Sequence, residues 1–209
     1  MALLGEVVNF IFHIDVHLGE IILRYGWLSY AIIFFIIFCE TGFVFTPFLP
    51  GDYLLFAAGS FAAIGFFNLL TLLFIFWLAA SLGDTVNYWI GYFLGQKIID
   101  NPKIPFINQE HIDKTQKFYE KHGGKTIFLA RFIPIIRTFA PFVAGVGKMN
   151  YRRFIVFNLS GGGVWTFTFI NLGYFFGNIP EVKKNFSFVI LAIIFISFLP
   201  ILIGTLRKN

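Results

Sequence analysis

A chain of 209 residues that is 57% apolar and only 13% charged belongs with membrane proteins, and several spans leave it no room for a separate soluble domain. Its single cysteine, Cys39, excludes an internal disulfide framework and a cysteine-rich metal site, and reads as a buried structural thiol. The net charge of +5 reads as lysines and arginines flanking membrane spans, so no nucleic-acid partner is expected.

Residues 1–26 are apolar but interrupted by Glu6, His13, Asp15, His17, Glu20 and Arg24, a pattern suited to an interfacial or amphipathic helix. Glu6 stands where a signal peptide would carry basic residues, so no cleaved leader is expected. His13 and His17 have a metal-compatible spacing but no third ligand nearby, and no metal site is predicted.

A bilayer core takes about 20 mostly apolar residues per helix. Stretches 27–45, 67–95, 154–177 and 186–206 meet that need and are predicted to span. The first passes Glu40 and then meets "TPFLPGD", where Pro47, Pro50 and Gly51 break the helix and Asp52 follows. The resumed piece, "DYLLFAAGSFAAIG", is too short for a comfortable crossing. Helix, Pro/Gly break and short return helix together predict a re-entrant hairpin. The span 67–95 carries Asp84 and a small-residue pair, Gly91 and Gly95, at the spacing that lets helix backbones approach closely. Residues 97–123 form an amphipathic linker in a lysine-rich stretch, which places it on the cytoplasmic side.

Residues 124–178 repeat this plan. An apolar helix meets a break at Pro134 and Pro141, a short "APFVAG" piece follows, and the next span ends "GYFFG" where the earlier one ended "GYFLG". The predicted fold is an all-α integral membrane protein with inverted repeats, 27–96 and 124–178, each a re-entrant Pro/Gly-broken hairpin plus a transmembrane helix. Residues 179–209 supply a last transmembrane helix and tail. Lys148, Arg152 and Arg153 put both ends of the second hairpin in the cytoplasm, so the first hairpin opens on the other side; Lys183 and Lys184 run against this scheme. The glycine run at 160–163 lies within a span and suits helix approach better than a phosphate loop.

Glu40, Asp52, Asp84, Arg131 and Arg137 all lie in or beside apolar segments. An ionised group at membrane depth costs about 3 kcal/mol or more, so each is a functional candidate. The natural arrangement sets carboxylates of the first repeat against arginines of the second. Two readings stay open: structural ion pairs, or a substrate site. Buried ion pairs often stabilise no better than apolar packing, which favours the second. Arg131 and Arg137 would face different sides of an undistorted helix, but a break at Pro134 would let both converge on a phosphate, whose oxygens match the guanidinium fork. No cofactor is implied.

The segments "FCETGFVFTPFLPGDYLLFAAG", "GDTVNYWIGYFLG" and "FLARFIPIIRTFAPFVAGVGKM" together resemble the DedA family of bacterial membrane proteins, which shares the VTT domain with eukaryotic lipid scramblases. The resemblance covers roughly residues 20–180. The family's glutamate before P-x-x-P-G-[DE] falls on Glu40, Pro47, Pro50, Gly51 and Asp52, and its A-R-F-x-P-x-x-R falls on Ala130, Arg131, Phe132, Pro134 and Arg137. The resemblance implies a multi-pass plasma (inner) membrane protein that moves undecaprenyl phosphate or phospholipids between leaflets, with dependence on the proton motive force. Membrane lipids are then the partners and protons the coupling ion. Other readings are a proton- or cation-coupled small-molecule exporter and a structural membrane scaffold. A lipid-phosphate enzyme using a nucleophilic histidine fits poorly, because all four histidines lie in polar or interfacial segments.

Overall fold

The computed structural model describes residues 14–43, 51–99, 117, 119 and 123–184. In chain order these form α1 (Ile14–Tyr25), a 3-10 turn (Gly26–Leu28), α2 (Ser29–Gly42), α3 (Gly51–Ala63), α4 (Leu69–Ile99), α5 (123–130), α6 (Pro134–Val146), α7 (Tyr151–Phe176) and α8 (Pro180–Lys184). Among the described residues there is no strand. The expected last span at 186–206, the prolines Pro47 and Pro50, His13 and most of the lysine-rich linker lie outside the described residues.

Three helical stretches are long and apolar enough to cross a membrane: Leu18–Gly42, Leu69–Gly95 and Tyr151–Phe176. The first begins earlier than the sequence pattern suggested. Ser29 Oγ donates to the carbonyls of Gly26 (2.6 Å) and Ile21 (3.3 Å), which ties the helical path together across the 3-10 turn. Residues 18–26, expected at the interface, join that path, with Leu18 and Ile22 buried. Large apolar side chains stay exposed along these stretches, among them Phe35, Phe74, Phe167 and Phe175. In water such exposure would be a liability; facing acyl chains it is the expected state. Phenylalanine, 31 of the 209 residues, supplies much of this exposed apolar surface.

The two later spans start alike. Asn68 caps α4, its Oδ1 accepting from the Thr71 N–H at 3.0 Å, and Asn150 caps α7, its Oδ1 accepting from the Arg153 N–H at 3.2 Å. Each cap satisfies a backbone donor that the helix itself leaves free.

The described residues fall into two compact units, one within Met1–Ile37, Phe48–Leu78 and Trp165–Asn209, the other within Phe38–Pro47 and Ala79–Val164. In the first, α3 packs on the C-terminal part of α7 through reciprocal close approaches. A Cβ on Gly59 would fall on the Ile170 carbonyl oxygen, and a Cβ on Gly173 on that of Phe56. In the second, α6 packs on the C-terminal part of α4 in the same way: Gly145 abuts the Tyr88 carbonyl and Gly91 that of Phe142. Only glycine admits backbones this close. The interval from Gly91 to Gly173 equals that from Tyr88 to Ile170 and from Asn68 to Asn150, and the interval from Phe56 to Phe142 equals that from Gly59 to Gly145. The internal repeat read from "GYFLG" and "GYFFG" is therefore also a repeat of contacts. α3 thus meets the later span, α7, and α6 the earlier one, α4.

The second unit is filled by Tyr88, Tyr119, Ile127, Ala130, Ala140, Ala144, Met149 and Phe154. The two buried phenols are satisfied by backbone: Tyr88 OH donates to the Met149 carbonyl and Tyr119 OH to that of Ala140.

Candidate functional site

Local sequence sets up the site. The helix at 123–130 ends in a turn, with the Phe132 N–H bonded to the Leu129 carbonyl and the Ile133 N–H to that of Ala130. Ile133 then takes an extended conformation (φ −119°, ψ 107°), as a residue before proline prefers, and Pro134 opens α6 at its first position. Arg131 thus projects from the turn and Arg137 from the first turns of the new helix. The helix runs on through Pro141, so of the two prolines expected to break the second hairpin, Pro134 marks the break and Pro141 lies inside a helix. Gly51 is the first residue of α3.

Four of the five charged candidates meet within the second unit. Arg131 Nη2 donates to Asp84 Oδ2, and Arg137 Nη2 to Glu40 Oε1. Glu40 is fully buried, and Asp84, Arg131 and Arg137 are 5–7% exposed. Each arginine thus meets a carboxylate carried by an earlier helix, Asp84 of α4 for Arg131 and Glu40 of α2 for Arg137. Asp84 stands midway along α4, about 22 Å from either end at a rise of about 1.5 Å per residue. Two carboxylates and two guanidiniums thus sit together in a chain of membrane spans, where stray charge is most costly.

Asp52 has a different partner. Its Oδ1 accepts a 2.8 Å hydrogen bond from the indole Nε1 of the buried Trp165, within the first unit. The sequence reading set the carboxylates of the first repeat against the arginines; Glu40 and Asp84 take that position. The difference follows from placement: Asp52 lies in the first turn of α3, which packs on α7, whereas Asp84 is carried by α4, on which α6 packs.

Neutral polar groups that sequence reasoning passed over complete the cluster. Asn158, on α7, accepts from Arg131 Nη2 at 2.6 Å through Oδ1 and donates through Nδ2 to the Ser81 carbonyl at 3.0 Å. Asn87, one turn beyond Asp84, donates to the Thr41 carbonyl (3.0 Å) and the Thr138 carbonyl (2.7 Å). It thereby ties the end of α2, the middle of α4 and the start of α6 together around the ion pairs. The available signal was an amide within an apolar span: Asn158 just before the glycine run, Asn87 just after Asp84. Gly162 in that run faces the Ser81 hydroxyl and the Arg131 guanidinium, so the glycines also make room for the arginine. Among the described residues no cluster of three or more His, Cys, Asp or Glu side chains has metal-binding geometry.

Residues 49–175 match the VTT domain family. The whole chain is 50% identical over 211 residues to Protein DedA of Escherichia coli (strain K12), covering 96% of that protein. It is 40% identical over 182 residues to an uncharacterized membrane protein of Mycobacterium tuberculosis, with 84% of this chain and 78% of that one aligned. It is also 32% identical over 157 residues to Inner membrane protein YqjA of Escherichia coli (strain K12), with 75% of this chain and 71% of that one aligned. No solved structure shows significant similarity. With three stretches able to span, a VTT domain and such relatives, the chain belongs to the DedA family and is a multi-pass protein of the inner membrane.

Proposed function

We propose that the protein is a transporter, not an enzyme, that moves an anionic lipid phosphate such as undecaprenyl phosphate or a phospholipid between leaflets, and that Arg131 and Arg137 receive its phosphate. The observation that carries this reading is the pair of buried arginine–carboxylate contacts in the second unit. A phosphate leaving the headgroup layer loses its hydration, and guanidiniums offset that loss with charge-assisted, bidentate hydrogen bonds. Glu40 and Asp84 hold the arginines until the lipid arrives. The inverted orientation of the two repeats and the re-entrant course of the hairpins belong to this proposal, since they would bring a path from each leaflet to one cluster.

Charge balance supplies the coupling. Two carboxylates and two guanidiniums sum to zero. An arriving phosphate adds at least one negative charge in a low-dielectric setting, and protonating one carboxylate restores neutrality. On this reading at least one proton travels with each lipid phosphate.

The pairing of each arginine with a buried carboxylate favours one alternative, a structural role for the pairs. Reconstitution of the purified protein into liposomes separates the two. The transport reading expects a fluorescent phosphatidic acid to change leaflets much faster than a phosphatidylcholine, and faster still under an applied proton gradient. Equal rates for the two headgroups would leave the structural role standing.

A further inference from the structure

Ser81 lies on the same face of α4 as Asp84, one turn earlier, and is 4% exposed. Its backbone carbonyl is used twice, by Thr85 Oγ1 at 2.8 Å and Asn158 Nδ2 at 3.0 Å. Its hydroxyl is used by nothing: among the described residues Oγ has no hydrogen-bond partner. A helical serine usually returns its hydroxyl to the carbonyl four residues earlier, so an idle, buried one is unusual and destabilising. Across from it stands Gly162, on which a Cβ would lie 3.2 Å from Ser81 Oγ and 3.3 Å from Arg131 Nη1. The hydroxyl and the guanidinium therefore approach the same point beside Gly162, where a side chain would crowd both.

We propose that the Ser81 hydroxyl is a further donor to the phosphate group bound by Arg131, and that Gly162 lets the two donors lie side by side. This rests on the phosphate reading above and adds a ligand to it. An O–H beside a guanidinium supplies a second donor to the same oxygen, at an angle a single arginine does not cover. A buried hydroxyl without a partner, beside a guanidinium, is chemically suited to donate to a ligand oxygen.

The test uses the purified full chain in detergent, titrated with short-chain phosphatidic acid and, separately, with inorganic phosphate. Binding is read by calorimetry, and the melting temperature of the ligand-free protein is read alongside. Ser81→Ala is expected to bind phosphatidic acid about tenfold more weakly, the loss of one hydrogen bond to a charged group. Its ligand-free melting temperature should be unchanged or higher, because an idle buried hydroxyl has been removed. Gly162→Ala should weaken binding too, by pushing the hydroxyl and the guanidinium out of place. A parallel loss with inorganic phosphate assigns the site to phosphate itself, and a loss confined to phosphatidic acid assigns it to the lipid. If Ser81→Ala binds like the native chain while Arg131→Lys does not bind, the serine proposal is overturned and the phosphate reading stands. If the native chain binds neither probe, both fall. A Ser81→Ala protein that melts lower and binds normally would make the hydroxyl structural and also overturn the proposal.

Discussion

Replacing Glu40 by leucine strips the carboxylate from a guanidinium that is only 7% exposed, in a pair whose acid is fully buried. Solvent screens such a pair little, and breaking one from one side costs about 3–5 kcal/mol. Arg137→Leu should cost a similar amount, now by stranding the Glu40 charge. The double variant, Glu40→Leu with Arg137→Leu, removes both charges and fills the volume with apolar atoms. Apolar replacements of buried pairs are neutral or stabilising by about 1–4 kcal/mol, so the double variant should be at least as stable as the native chain. The cycle therefore predicts a coupling energy of several kcal/mol, read by reversible unfolding in mixed micelles with tryptophan fluorescence. It also predicts that the well-folded double variant transports nothing. Single variants within about 0.5 kcal/mol of native stability would show that the pair is solvent-screened and would refute the reasoning. A stable double variant that still transports would assign the pair to packing alone.

Three other expectations follow from individual contacts. Asn158→Leu removes an acceptor from Arg131 and a tie to the Ser81 carbonyl; the protein should fold and its transport of lipid phosphate should fall roughly tenfold or more, the worth of a hydrogen bond to a charged group. Gly173→Ala and Gly91→Ala each drive a Cβ into a carbonyl and should lower stability by about 1–3 kcal/mol, whereas Gly161→Ala, with its nearest neighbour at 3.4 Å, should be tolerated; equal melting temperatures for all three would contradict the repeated contact. Cysteines placed at Lys148 and Asn68 should react with a membrane-impermeant reagent from opposite sides of the membrane, the first from the cytoplasm; labelling of both from one side would defeat the inverted arrangement.

The charged candidates were legible because a carboxylate or guanidinium in an apolar run stands out against its cost. Their pairing was less legible. That Arg131 meets Asp84 and Asp52 meets Trp165 depends on which helix packs on which, and both acids look equivalent as letters. The turn before Pro134 was readable from the proline, since it restricts the residue before it; the continuation of α6 through Pro141 was not, because packing on α4 holds that helix. Asn158 and Asn87 were missed because a neutral amide in a span is only moderately costly and its value lies in tertiary partners. The recurrence of "GYFLG" and "GYFFG" marked a repeat, but the crosswise packing of α3 on α7 and α6 on α4 rests on carbonyls that any sequence would supply.

The central claim is that Arg131 and Arg137 carry a phosphate across the membrane by their planar forks. Lysine preserves the charge and removes the fork. Liposomes containing the native chain, Arg131→Lys or Arg137→Lys, matched for folded protein by size-exclusion profile, should be compared for the leaflet exchange of fluorescent phosphatidic acid under an imposed proton gradient. The account predicts fast exchange by the native chain, and exchange near the protein-free rate in both lysine variants. Native exchange rates in both variants would show that the arginines only pack, and would contradict the account.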